Sequence, residues 1–302
     1  MVLSNSVKKR FVKDFRLPID ILREPYFSEK IKYLDKEFDS IAKLELLKET
    51  INSLGSEDAF FNEGDRIVSE LQEQIRNNEE YKNLQNDRLE REGQYVKDIK
   101  IKYQTKRDFY KEENLNKVYI SIDLVEANFN ALKSKNIFKE KNFREVLNKF
   151  TTFEYFLKSK HIRQIVFGSL LPKKQIIIEE YAVAKILDSL NVDFTNVVLN
   201  KDEIILEVSD DLNFNHLEIL EELQKINTDF PLRIERFNLI ELRDKNENLY
   251  FVKDYGYEFK LKSVPKVYYT QAYKKLMKQE IEESDLMFFY EGQVAYFKES
   301  IF

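Results

Sequence analysis

The chain reads as an α+β protein: a split βαβ antiparallel sheet with helices on one face, preceded by a helical N-terminal region. Three observations point there. Apolar residues recur at helical spacing through residues 15–92. From residue 117 the period switches to two, with Val118, Ile120 and Ile122 alternating with Tyr119 and Ser121. Strand and helix patterns then follow in the order β-α-(αα)-β-β-α-β.

In the N-terminal region, Leu44, Leu47, Ile51 and Leu54 mark one helix, and Gly55 is its stop. Ser56 is a candidate N-cap for the next helix, whose stripe is Ile67, Leu71 and Ile75. Residues 77–116 are densely charged with weak apolar periodicity, the pattern of a solvated helix or a linker. The domain boundaries that follow are 1–92 (helical region), 93–116 (charged linker), 117–243 (α/β domain) and 244–302 (a C-terminal hairpin and helix packed on it).

Within the α/β domain, a strand ends at Asp123 and a helix follows through Phe129 and Leu132. Further helices are expected at 142–160 and 174–190. Asn196–Leu199 and Ile204–Val208, separated by Asn200-Lys201-Asp202-Glu203, form a hairpin signal. A helix at 214–227 and a strand at 231–241 complete the unit. The tail holds a hairpin around Asp254–Tyr257, a helix after Pro265 and an aromatic-rich end.

Composition removes several function classes. There is no cysteine, so no disulfide framework and no thiolate metal site. His161 and His216 are the two histidines, too few for a histidine-rich zinc centre. With 6 glycines, neither a P-loop nor a G-x-G-x-x-G motif is present. Net charge is −5 with 34% charged residues, so bulk positive charge does not attract nucleic acid. No apolar run is long enough to span a bilayer, and the N-terminus lacks a signal-peptide core. The expectation is a cytoplasmic protein with no membrane partner. The richness in Lys, Asn, Ile and Glu suggests a phage or mobile-element origin.

The chemistry-bearing candidates are carboxylates. In a split βαβ sheet the first strand and the central hairpin are neighbours. Asp123 at the strand end and Asp202–Glu203 at the hairpin tip can then meet. Carboxylates so close repel unless cations lie between them. Oxygen ligands favour Mg²⁺ or Mn²⁺. Two such ions, about 3.5–4 Å apart, could activate a 3′-hydroxyl and stabilise leaving pyrophosphate. The structural alternative is an Asp that forms a turn after its strand and a solvated hairpin tip.

The segment 120–132, Ile-Ser-Ile-Asp-Leu-Val-Glu-Ala-Asn-Phe-Asn-Ala-Leu, resembles the first palm motif of family A DNA polymerases. Asn-Lys-Asp-Glu-Ile-Ile-Leu-Glu-Val (200–208) resembles the second, in which His-Asp-Glu precedes an apolar strand. The resemblance implies a palm-like fold over 117–243 and metal ligation by Asp123 and Asp202. It makes Glu203 an acidic neighbour and Asn128 the position facing the incoming sugar. Lys201 stands where the family has His. Arg163-Gln-Ile-Val-Phe-Gly168 is faintly similar to the nucleotide-binding fingers helix, which would set Arg163 on triphosphate and Phe167 on the base. Leu171 stands where that helix carries Tyr.

The departures shape the expectation. Asp202 follows Asp123 by only 79 positions, whereas the family inserts its fingers there. The implied enzyme is a reduced, metal-dependent nucleotidyltransferase acting on nucleotide triphosphates or nucleic acid. The alternative is a catalytically inactive palm-like protein that binds nucleic acid or a protein partner. A basic run, Lys158, Lys160, Arg163, Lys173 and Lys174, is either a phosphate contact, with Lys174 neutralising triphosphate, or a solvated helix face. A third possibility is a factor whose helical N-terminus does the binding.

Overall fold

The computed structural model describes residues 2–106, 108–190, 197–208, 223, 230–290 and 293–302. The protein is α+β, with a helical N-terminal region and a six-stranded antiparallel sheet in the order β2-β3-β1-β4-β5-β6. Among the described residues no helix is long and apolar enough to cross a membrane.

The chain divides into two compact units, each built from segments distant in sequence. One comprises residues 1–67, 151–164 and 240–302. The other comprises 68–150 and 165–239.

In the first unit, helices α1 (Asn5–Phe15), α2 (Tyr26–Tyr33), α3 (Asp35–Phe38) and α4 (Ser40–Leu54) surround an aromatic core, joined by the start of α5 (Glu57–Asn77). Phe60 stacks on Phe156 at 5.2 Å and meets Tyr155 edge-on at 5.2 Å. Such pairs add to the area they bury. Gly55 ends α4 at φ 89°, a left-handed conformation that favours glycine. Ser56 accepts from the Ala59 amide, the capping role its side chain suggests. Buried Asp14 is held by Arg10, by the Tyr155 hydroxyl at 2.6 Å and by Ser159 at 2.9 Å. Tyr155 lies in α10 (Glu154–Lys158), so segment 151–164 is stitched to α1 by a buried carboxylate.

The second unit holds α6 (Glu79–Asn86), α7 (Glu90–Lys102), β1 (Lys117–Leu124), α8 (Ala127–Lys133) and α9 (Phe143–Leu147). It continues from the end of α11 (Lys160–Gly168) through α12 (Pro172–Ser189), β2 (Val197–Leu199) and β3 (Glu203–Val208), and takes β4 (Leu232–Arg243) up to Leu239. The predicted helix 214–227 falls outside the described residues, save Leu223. The charged stretch is helical over α7, which packs on α12 through Tyr95 and Tyr181, ring centroids 5.3 Å apart, and through Lys100 and Glu180 at 3.1 Å. Pro172 opens α12 at its first turn, where its missing N–H costs nothing.

Strand β1 lies between β3 and β4, paired antiparallel to both. On β1 and β3, residues of even number form an apolar face: Ile120, Ile122, Ile204 and Leu206 are buried. Helix α12, which contacts β3, offers a matching stripe of Ile178, Ala182 and Ile186. Odd-numbered residues form the other face, and it is not simply solvated. Phe109 meets Tyr119 edge-on at 4.7 Å and Phe237 at 5.9 Å. Phe109 thus covers part of that face, and Tyr119 and Ser121 are buried.

Back in the first unit, β5 (Leu249–Asp254) and β6 (Phe259–Lys262) form the hairpin expected near Asp254–Tyr257. Helix α13 (Tyr269–Leu276) follows Pro265. The aromatic end pairs as β7 (Met287–Tyr290) and β8 (Gln293–Tyr296).

Candidate functional site

The site is built on the odd face at the end of β1. The register sets Asp123 opposite Glu203 on β3 and opposite Arg233 on β4. Directly opposed side chains on antiparallel strands lie about 5 Å apart at Cβ, so the three form one row. The next row inward sets Ser121 opposite Ile205 and Glu235. Asp202 is fixed in the connecting turn, its carbonyl accepting from the Leu124 amide at 2.9 Å. Asp123, Asp202 and Glu203 are therefore neighbours.

Two of these carboxylates, Asp123 and Glu203, have protein partners. Arg233 Nη2 donates to Asp123 Oδ2 at 2.6 Å, and Arg233 Nε lies 3.7 Å from Glu235. The guanidinium thus bridges Asp123 and Glu235 on the β4 side of β1, while Asp202 and Glu203 lie on the β3 side. Glu203 is also engaged: it accepts from Ser121 Oγ at 2.7 Å and from Asn200 at 3.4 Å. Among the described residues, no group of three or more acidic or histidine side chains converges to hold a metal. Asp123, Asp202 and Glu203 are the oxygen donors that would hold Mg²⁺ or Mn²⁺ here, with Arg233 paired to the first of them.

Asp123 is 24% exposed at its side chain. Burial pushes its carboxyl up to about 6; Arg233 opposes that rise, while Asp202, Glu203 and Glu235 add to it. Tyr110, beside this row, has its phenol raised by burial and then by Glu203.

A second polar cluster lies close by. Glu179 on α12 is fully buried, accepts from Asn128 Nδ2 at 3.0 Å and ion-pairs with Lys201 Nζ at 2.8 Å. Burial drives its carboxyl up to about 7 against the pull of Lys201, with Asp202 contributing. Asn128 also donates to Gln175 at 3.0 Å. Its amide is committed to this cluster rather than presented to a sugar.

The remaining sequence-predicted residues lie elsewhere. Phe167 is 1% exposed and packs on Phe143 at 5.2 Å and Phe138 at 6.2 Å, so it offers no face to a base. Lys174 donates to the Leu84 and Gln85 carbonyls at 2.6 and 2.8 Å and to that of Asp87, capping the C-terminus of α6. Arg163, with Lys158 and Lys160, belongs to the first unit, whereas Asp123, Asp202 and Glu203 belong to the second. Sequence reasoning missed Arg233 and Glu179. Arg233 could be placed only by the β1–β4 register, and Glu179 reads as a solvated position in a charged helix until Lys201 is set against it.

Compared with family models, curated proteins and solved structures, the chain matches none. The likeness to family A polymerases thus rests on the two palm-like motifs alone.

Proposed function

We propose that the chain is a catalytically inactive, palm-like binding protein that engages a protein partner without metal ions. The observation that carries this reading is the 2.6 Å contact between Arg233 and Asp123. The cation that such a carboxylate cluster demands comes from the chain itself. Beside that guanidinium, Asp202, Glu203 and Glu235 all bear on the charge of Asp123. The surplus negative charge repels phosphate, so the partner is a protein with a cationic segment rather than nucleic acid. The test is fluorescence anisotropy with a labelled lysine- and arginine-rich peptide and with labelled single-stranded DNA, each with and without EDTA. Peptide binding that resists EDTA and weakens in Asp202→Asn supports the reading. EDTA-sensitive binding, or a preference for DNA, contradicts it.

One observation favours the nucleotidyltransferase reading: Asp123, Asp202 and Glu203 do meet at one strand end. That reading requires Arg233 to swing away when metal and nucleotide arrive. Mg²⁺-dependent incorporation of labelled nucleotide that Asp123→Ala abolishes would establish it. Equal signal in the variant would remove it.

A further inference from the structure

In the first unit, β7 and β8 form a two-stranded ribbon that joins no other strand among the described residues. Its hydrogen-bond phase is set at its base. The Phe297 amide donates to the Leu286 carbonyl at 2.8 Å, so these two residues form a hydrogen-bonded pair. Bonded and non-bonded pairs alternate along an antiparallel ribbon. Phe288–Ala295 and Tyr290–Gln293 are then bonded pairs, and Met287–Tyr296 and Phe289–Val294 are not. The backbone N–H and C=O groups of Val294 and Tyr296 therefore point outward from β8. Among the described residues, no hydrogen bond from outside the ribbon reaches them. Such an open edge is a template for a further strand.

The two faces of the ribbon differ. Phe288 stacks on Phe297 at 4.3 Å, and Phe297 meets Tyr268 at 5.5 Å, so this face packs on the body of the unit. The opposite face carries the Phe289–Val294 pair, and both residues line a cleft of about 620 Å³. The other wall is segment 20–23, outside any helix or strand, with Ile21 and Leu22. Gln293 lines the cleft as well. Successive side chains on a strand point to opposite faces, so a cleft that touches both Gln293 and Val294 reaches the outer edge of β8.

The rim supplies charge of both signs. Asp20 and Arg23 line the cleft and are exposed, and neither side chain has a hydrogen-bond or ion-pair partner among the described residues. An apolar small molecule would fill the cleft and leave the β8 edge and both charges unengaged. An extended peptide engages all three. Its backbone pairs with Val294 and Tyr296, an apolar side chain enters the cleft, and flanking residues of opposite sign meet Asp20 and Arg23. A short edge strand can also stay solvated; here the Phe289 ring, 43% exposed, stands beside a cleft of ligand size.

We propose that β8 takes up an extended peptide as a third strand, with an apolar side chain seated between Ile21 and Phe289 and residues of opposite sign flanking it toward Asp20 and Arg23. The probe is a fluorescein-labelled, capped heptapeptide with leucine at its centre, lysine and glutamate two positions to either side, and threonine elsewhere. It is titrated with the full chain and followed by anisotropy, and saturable binding is expected. Backbone N-methylation of the probe at alternate positions should weaken binding at least about tenfold in one register and less than about twofold in the other, because only every second amide of an added strand faces its neighbour. Val294→Pro removes an amide that the ribbon does not use, and should weaken binding at least about fivefold beyond Val294→Ala with circular dichroism unchanged. Arg23→Glu should weaken binding severalfold, and exchanging the glutamate of the probe for lysine should restore it. Absence of saturable binding, equal effects of the two N-methylation registers, or failure of the charge exchange to restore binding overturns the proposal. So does a dimer of the chain in sedimentation that Val294→Pro dissociates, which would assign the edge to a second copy.

Discussion

Replacing Asp123 by Asn should stabilise the protein at neutral pH and do much less in mild acid. The carboxyl titrates near 6 in the folded chain against an ordinary value of 3.8. A carboxyl raised by folding binds its proton more tightly in the native state than in the unfolded one. Its ionisation therefore removes stability as pH rises through that interval. The shift of about two units corresponds to about 3 kcal/mol lost once both states are ionised, and about 1 kcal/mol at about pH 4.5. Asn keeps the shape and removes the charge. Arg233 keeps Glu235 at 3.7 Å and, with its side chain 55% exposed, is solvated when Asp123 is neutralised. The stabilisation of Asp123→Asn over wild type should thus grow by about 2 kcal/mol between about pH 4.5 and about pH 7.5. Urea unfolding of both proteins, followed by circular dichroism at the two pH values, measures the difference directly. A stability difference that stays constant with pH, or that favours wild type more at the higher value, would refute the reasoning.

Four further outcomes follow from the same structure. Glu179→Gln should flatten the fall in wild-type stability between about pH 4.5 and about pH 8, because burial raises this carboxyl to about 7; thermal melts across that range, with the wild-type slope retained in the variant, would count against it. Lys174→Met should cost about 1–2 kcal/mol by uncapping α6, without weakening binding of the cationic peptide; urea midpoints and anisotropy report the two effects separately. Phe167→Ala should cost about 3–5 kcal/mol as a core truncation; a variant of wild-type stability would instead indicate a ring free to stack. Gly55→Ala should cost about 1 kcal/mol through its left-handed φ, read from the thermal midpoint.

Local features were legible wherever the deciding interaction lies close in sequence. Gly55 and Ser56 mark the break between α4 and α5. Leu44, Leu47, Ile51, Ile67, Leu71 and Ile75 are buried as their spacing requires. Asn200–Glu203 turns the β2–β3 hairpin, and Val118, Ile120 and Ile122 alternate along β1. The features that sequence did not disclose depend on distant partners. Tyr119 looks like a solvated position until Phe109 is set against it. Segment 151–164 joins the N-terminal helices because Tyr155 and Ser159 satisfy buried Asp14, which no local pattern encodes. Helix α7 has too weak a stripe to stand out; Tyr95, Lys100 and Lys102 anchor it against Tyr181, Glu180 and Asp188. The candidate site divides in the same way. That Asp123 meets the hairpin tip follows from topology, but the identity of its counter-ion depends on the β1–β4 register.

That counter-ion is the centre of the account, and a Mn²⁺ titration tests it most directly. The full chain is titrated with Mn²⁺ while free ion is followed by electron paramagnetic resonance. With Arg233 already paired to Asp123, no site tighter than about millimolar is expected, and Asp123→Asn should give the same trace as wild type. Saturable binding at tens of micromolar or so, lost in both Asp123→Asn and Asp202→Asn, would show that these carboxylates hold metal and would contradict it.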